Sequence, residues 1–116
     1  MSEQDLLARA DRMLETARSV RQTDPSAAVS LSASVVVMAH VAVLHAHGQQ
    51  PIPADERRLG AEVTELLGGS LVPADRLTEL LDVRDGLGTV NPDEALADAG
   101  RAVERARGAI EAQSSC

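Results

Sequence analysis

Apolar positions recur every three to four residues along almost the whole chain. Leu6, Leu7, Ala10, Met13, Leu14, Ala17 and Val20 share one face of a helix predicted from about Glu3 to Arg21, opened by Ser2 and Asp5 at capping-box spacing. Asp24 before Pro25 reads as a cap followed by the first helical position. From Pro25 to Ile52 there is then no Asp, Glu, Lys or Arg, which predicts a central helix, Ala27 to about His47, apolar on nearly every side and stopped at Gly48. Ser26, Ser30 and Ser34 recur every four residues within it and predict a small-residue stripe where another helix approaches closely.

Pro51-Ile52-Pro53 breaks the chain before a short third helix, Ala54 to Leu67, that carries Leu59, Val63, Leu66 and Leu67 and ends at Gly68-Gly69. Pro73 opens a fourth, with Leu77, Leu80, Leu81 and Leu87 on one stripe and a loosening at Gly86 and Gly88. Asn91-Pro92-Asp93-Glu94 repeats the cap-plus-proline signature, and the last helix runs to about Glu111 on a stripe of Ala95, Ala99, Ala102, Val103, Ala106, Ala109 and Ile110. No segment sustains the alternation of a strand. The pattern predicts an all-α, antiparallel bundle of about five helices, four long and one short, forming a single domain over residues 1–112 with 113–116 as a flexible tail.

Composition sharpens this picture mainly by exclusion. A chain of 116 residues can bury one core, and with no Phe, Tyr or Trp that core is filled by Leu, Val, Ala and Met. Recognition of nucleobases by aromatic stacking is excluded. The formal net charge of −7, with all 11 cations Arg, argues against nonspecific nucleic-acid binding. Cys116 is the only cysteine, so neither an intramolecular disulfide nor a thiolate metal site is expected. The opening Ser2, Glu3, Gln4 and Asp5 lack the basic segment of a secretory signal, and a cytoplasmic location is expected. The charge-free run is long enough to span a bilayer, but serines and histidines interrupt it and no basic cluster flanks it, so membrane insertion is not.

Few residues carry candidate chemistry. Arg84 falls on the apolar stripe of the fourth helix, where its guanidinium either snorkels to the rim and pairs with a carboxylate such as Asp82 or Asp85, or binds phosphate in a cleft. Asn91, the sole asparagine, reads first as a helix cap. His40, His45 and His47 lie on the central helix without the four-residue pairing of a helical metal site, so buried or half-buried neutral imidazoles are expected, with no metal and no cofactor. Asp98 with Arg101, and Arg107 with Glu111, read as solvated surface pairs.

The order of elements resembles the HEPN superfamily, all-helical domains of prokaryotic toxin-antitoxin and defence systems that are often metal-independent ribonucleases. The resemblance spans roughly residues 3 to 111 and rests on Ser34 to His40 in the second helix, on Leu80-Leu81-Asp82-Val83-Arg84-Asp85, and on the alanine-rich last helix. It implies a homodimer in which paired arginines line a shared groove of Arg84, Asp85 and Asn91, with RNA, a nucleotide or a partner protein, either an antitoxin or a nucleotidyltransferase, bound there. The family's arginine is followed after four to six positions by a histidine, whereas Asn91 stands here and cannot transfer a proton near neutral pH. His40 is the one candidate for a displaced acid/base. The absence of tyrosine removes the residue through which some members are silenced by modification. The expectation is therefore a catalytically degenerate binding module; the competing ones are an active endoribonuclease toxin using Arg84 with Asn91 or His40, and a helical scaffold unrelated to the family.

Overall fold

The computed structural model of the protein describes residues 2–49 and 56–114. The three long helices begin where a side chain accepts from one of their first free amides, and the two shorter ones have no side-chain cap. In α1 (Glu3–Val20) the Asp5 amide donates to Ser2 Oγ at 3.1 Å and the Ser2 amide to Asp5 Oδ2 at 3.2 Å, a complete capping box. Before α2 (Pro25–Ala46) the Ala27 amide donates to Asp24 Oδ1 at 3.1 Å, and Pro25 occupies a position whose amide would have been unpaired. A single 3-10 turn at Glu56–Arg58 leads into α3 (Leu59–Leu67), then come α4 (Ala74–Arg84) and α5 (Pro92–Ser114). The expected start of the third helix at Ala54 lies outside the described residues.

These five helices, with no strand among the described residues, form an all-α bundle around α2. α1 and α5 pack against α2 and against each other, while α3 and α4 cover another part of it. The bundle is elongated, with extents of 44 × 23 × 22 Å, and α2, at 22 residues about 33 Å long, is its spine. α2 is long and apolar enough to cross a membrane, yet most of its apolar stretch is buried inside the bundle.

The core is filled by Leu, Val and Ala as expected, but Met13 and Met38 only flank it, partly buried. Ala95, Ala99, Ala102 and Ala106 on α5 are fully buried, as are Ala33, Val36, Ala39 and Val43 on α2, and the bulk comes from Leu44, Leu59, Leu71, Leu80 and Leu81. Each buried Leu or Val contributes about 1.5–3 kcal/mol. The serine stripe is corrected: Ser26 is exposed and Ser30 and Ser34 are half-buried, whereas Ser32 is the serine packed inside, its hydroxyl donating to the Ala28 carbonyl at 2.8 Å. Burial on α2 follows Ala28, Ser32, Val35, Ala39 and Val43, so Ser30 and Ser34 fall on its outer side.

Three further expectations shift. Leu87 is not part of the α4 stripe: the helix ends at Arg84, Gly86 takes a φ of 86°, and the Leu87 amide turns back to the Asp82 carbonyl at 2.7 Å, leaving the side chain 61% exposed. α5 runs through Ser114, so Gln113 belongs to the helix rather than a tail and donates to the Ala46 carbonyl at 2.8 Å. Asp98 is buried rather than solvated. Its carboxylate meets Arg101 on its own helix and Arg76 Nε of α4 at 2.8 Å, tying α4 to α5. Arg107, in turn, reaches Asp11 at 2.6 Å and ties α5 to α1.

Candidate functional site

Arg84 comes to the rim of the bundle at the last turn of α4, half-buried, and meets a carboxylate that lies 28 positions earlier in the chain. Its Nη1 and Nη2 donate to the two oxygens of Glu56 at 3.1 and 2.6 Å, a fork-to-fork pair, and its Nε lies 3.8 Å from Asp85 Oδ1. The pair holds the Glu56 carboxyl below its ordinary range, chiefly through the hydrogen bonds from Arg84, and the same bonds raise the guanidinium. Arg57 continues the cluster, with Nη2 at 2.8 Å from Asp82 and 3.3 Å from Asp85. Three carboxylates thus face two guanidinium groups, an arrangement that neutralises positive charge rather than presenting it to an anion. Pairing with Asp85 and Asp82 was legible from sequence; Glu56 was not, because it follows the proline-rich break and belongs to no periodic stripe.

Asn91 is a cap. Its Oδ1 accepts from the Asp93 and Glu94 amides at 2.9 and 3.2 Å, and its carbonyl accepts the Ala95 amide at 3.0 Å. Of the residues expected to line a groove, Arg84 and Asp85 adjoin, and the Oδ1 atom of Asn91 is taken up by the first turn of α5.

His40 is fully buried on α2. Its Nδ1 lies 2.7 Å from the Val36 carbonyl, which can only accept, so Nδ1 carries the proton and Nε2 presents a bare lone pair. Burial pushes the imidazole below its ordinary value, against the smaller opposing effect of the Val36 bond, and keeps the ring neutral. Nε2 has no hydrogen-bond partner among the described residues. His47 is half-buried as expected, its Nδ1 3.0 Å from the Val43 carbonyl, whereas His45 is exposed because it lies at the end of α2, where its Nδ1 is 3.2 Å from Glu3 Oε2. No group of three His, Cys, Asp or Glu among the described residues could hold a metal ion.

The space next to His40 is the more informative feature. A groove of about 500 Å³ opens between α2, α3, α4 and the segment joining α3 to α4, with His40 at its floor, Gly60, Ala61, Val72, Pro73 and Leu77 along its walls, and Arg57 and Glu65 on its lining. Neither Arg84 nor Asn91 lines it. The ion cluster and the groove share Arg57 and so form one continuous region at the α3–α4 end of the bundle. No family model, curated protein or solved structure matches the chain. The class that fold and site define together is an all-α helical bundle with a mainly apolar groove and a neutralised arginine cluster beside it.

Proposed function

We propose that this chain is a non-catalytic, HEPN-like binding module that pairs with a second copy and whose working site is the groove between α2, α3 and α4. One observation carries the proposal: Arg84 and Asn91, to which the resemblance points for RNA cleavage, are both engaged in structural bonds, while His40 Nε2, buried and without a partner among the described residues, adjoins a groove. Both fork nitrogens of Arg84 face Glu56, so phosphoryl oxygens would have to displace a bidentate carboxylate to reach them. Asn91 cannot transfer a proton. His40, neutral and enclosed, has no bond to Arg84. Pairing of two copies comes from the family resemblance and forms part of the same proposal.

The test is light scattering on size-fractionated wild type, Arg84→Ala and Glu56→Gln, each peak being incubated with mixed RNA. The proposal predicts a dimer, intact RNA in every case, and no RNA retention by Glu56→Gln although that change weakens the clamp on Arg84. Cleavage that disappears in Arg84→Ala would replace it with an endoribonuclease, and a monomer would remove the pairing.

A further inference from the structure

The chemistry of the groove floor narrows what the groove can hold, on the reading that the groove is the working site. We propose that it takes a small, neutral, largely apolar molecule bearing one hydrogen-bond donor, an O–H or N–H, that bonds to His40 Nε2. The polarity of that bond is fixed from below: the Val36 carbonyl leaves Nδ1 as the donor, so Nε2 can only accept. A buried acceptor left unmade is costly, and an occupant that satisfies it gains what the folded chain alone does not have. Nδ1 is turned back onto its own helix, and His40 lines a groove whose other walls come from α3, α4 and the segment between them.

The walls set the remaining properties. Val72, Pro73, Leu77 and Ala61 offer apolar contact, and the Thr64 hydroxyl already donates to the Gly60 carbonyl at 2.7 Å. The charges on the lining have opposite signs, Arg57 being held by Asp82 and Asp85 while Glu65 stands opposite in charge, so the groove offers no net attraction to an ion. A metal is disfavoured for want of further ligands. The His40 ring is beneath the lining side chains and out of reach of water, so the donor reaches Nε2 as one of those side chains moves aside. Gly60 keeps the wall open: a Cβ added there would come 3.6 Å from Leu77 Cδ2, so a larger side chain at this position projects toward the space an occupant would use.

Indole and phenol are suitable probes, with 1-methylindole and anisole as partners of nearly equal shape that lack the donor. The chain contains no Phe, Tyr or Trp, so the ultraviolet emission of a mixture belongs to the probe alone. The expected result is a saturable shift of indole and phenol emission with Kd below about 1 mM, and binding of the methylated partners weaker by about tenfold or more. His40→Leu should erase the difference within each pair, and Gly60→Leu should weaken all four probes while leaving Nδ1 of His40 bonded to Val36. If His40→Leu fails to fold by far-ultraviolet circular dichroism, the paired probes on wild type and Gly60→Leu still decide. No saturable binding of either donor probe, or equal binding within each pair, overturns the ligand class. Arg84-dependent RNA cleavage would overturn the binding-module reading separately, whatever the probes do.

Discussion

The α1–α2–α5 side of the bundle and its α3–α4 end draw on the same aliphatic side chains, yet they are organised on opposite terms. On the first side α5 presents Ala95, Ala99, Ala102 and Ala106, all fully buried, and no buried polar side-chain atom among the described residues of α1 lacks a partner. At the other end α3 has only nine residues, a groove of about 500 Å³ separates parts of the structure, and Glu56, Arg57, Asp82, Arg84 and Asp85 form a charged rim beside it. The first side also has surface hollows, of about 380 and 520 Å³ over α1, but no unpartnered buried polar atom among the described residues lines them. The α3–α4 end keeps space and a lone pair together, and such departures from full consistency are where function concentrates in folded chains.

Core substitutions should separate the two regions most strongly. Leu44→Ala, at a fully buried α2 position, is expected to cost about 2–5 kcal/mol in urea denaturation, and Ala102→Leu about 1–3 kcal/mol through overpacking. Ala61→Leu, exposed on the groove wall, should stay within about 0.5 kcal/mol. A cost above about 1 kcal/mol for Ala61→Leu would mean that the groove is as tightly filled as the alanine side.

The next effect in size tests the tie between the regions. Asp98→Ala leaves Arg76 and Arg101 without their shared buried carboxylate and should cost about 1–3 kcal/mol. A double-mutant cycle on Glu56 and Arg84 should give a coupling of about 1 kcal/mol, because both groups are roughly one-third exposed and solvent screens the pair. That coupling should shrink in high salt.

The smallest effect is a separation in pH. His40 in the folded protein binds a proton less readily than its ordinary value of 6.5, so as pH falls through 6.5 the unfolded chain takes up the proton first and stability declines. Glu56 is likewise held below its ordinary 4.5, so its contribution is present above that pH and is lost as pH falls further toward its folded value. Stability measured from pH 7 to 3 should therefore fall in two windows, with the lower one flattened in Glu56→Gln.

Much of the fold was readable because the signals that start and stop helices are local. Ser2 with Asp5, Asp24 with Pro25, and Asn91 with Pro92 each cap a helix as their spacing predicts. Leu87 was misplaced because a 3.6-residue period continues through a glycine that in fact turns the backbone left-handed. Serine spacing on α2 suggested a packing stripe on a helix so uniformly apolar that periodicity could not say which side faces inward; Ser32, not Ser30 or Ser34, is inside.

The candidate site was less legible. Buried neutrality of His40 and capping by Asn91 followed from residue type and context, whereas Glu56 and the groove depend on how α3 and α4 close over α2, and no local pattern encodes that distance. Asp98 looked like one half of an exposed pair because its second partner, Arg76, is on another helix.

The central claim is that His40 Nε2, buried beside the groove and without a hydrogen-bond partner among the described residues, is an accepting imidazole nitrogen. A two-bond 1H–15N spectrum of the histidine rings of the ligand-free protein at pH 7 tests it most directly. The account predicts a neutral His40 ring protonated at Nδ1, with an Nε2 resonance that moves farther with indole than with the same concentration of 1-methylindole. A ring protonated at Nε2, or at both nitrogens, would contradict it.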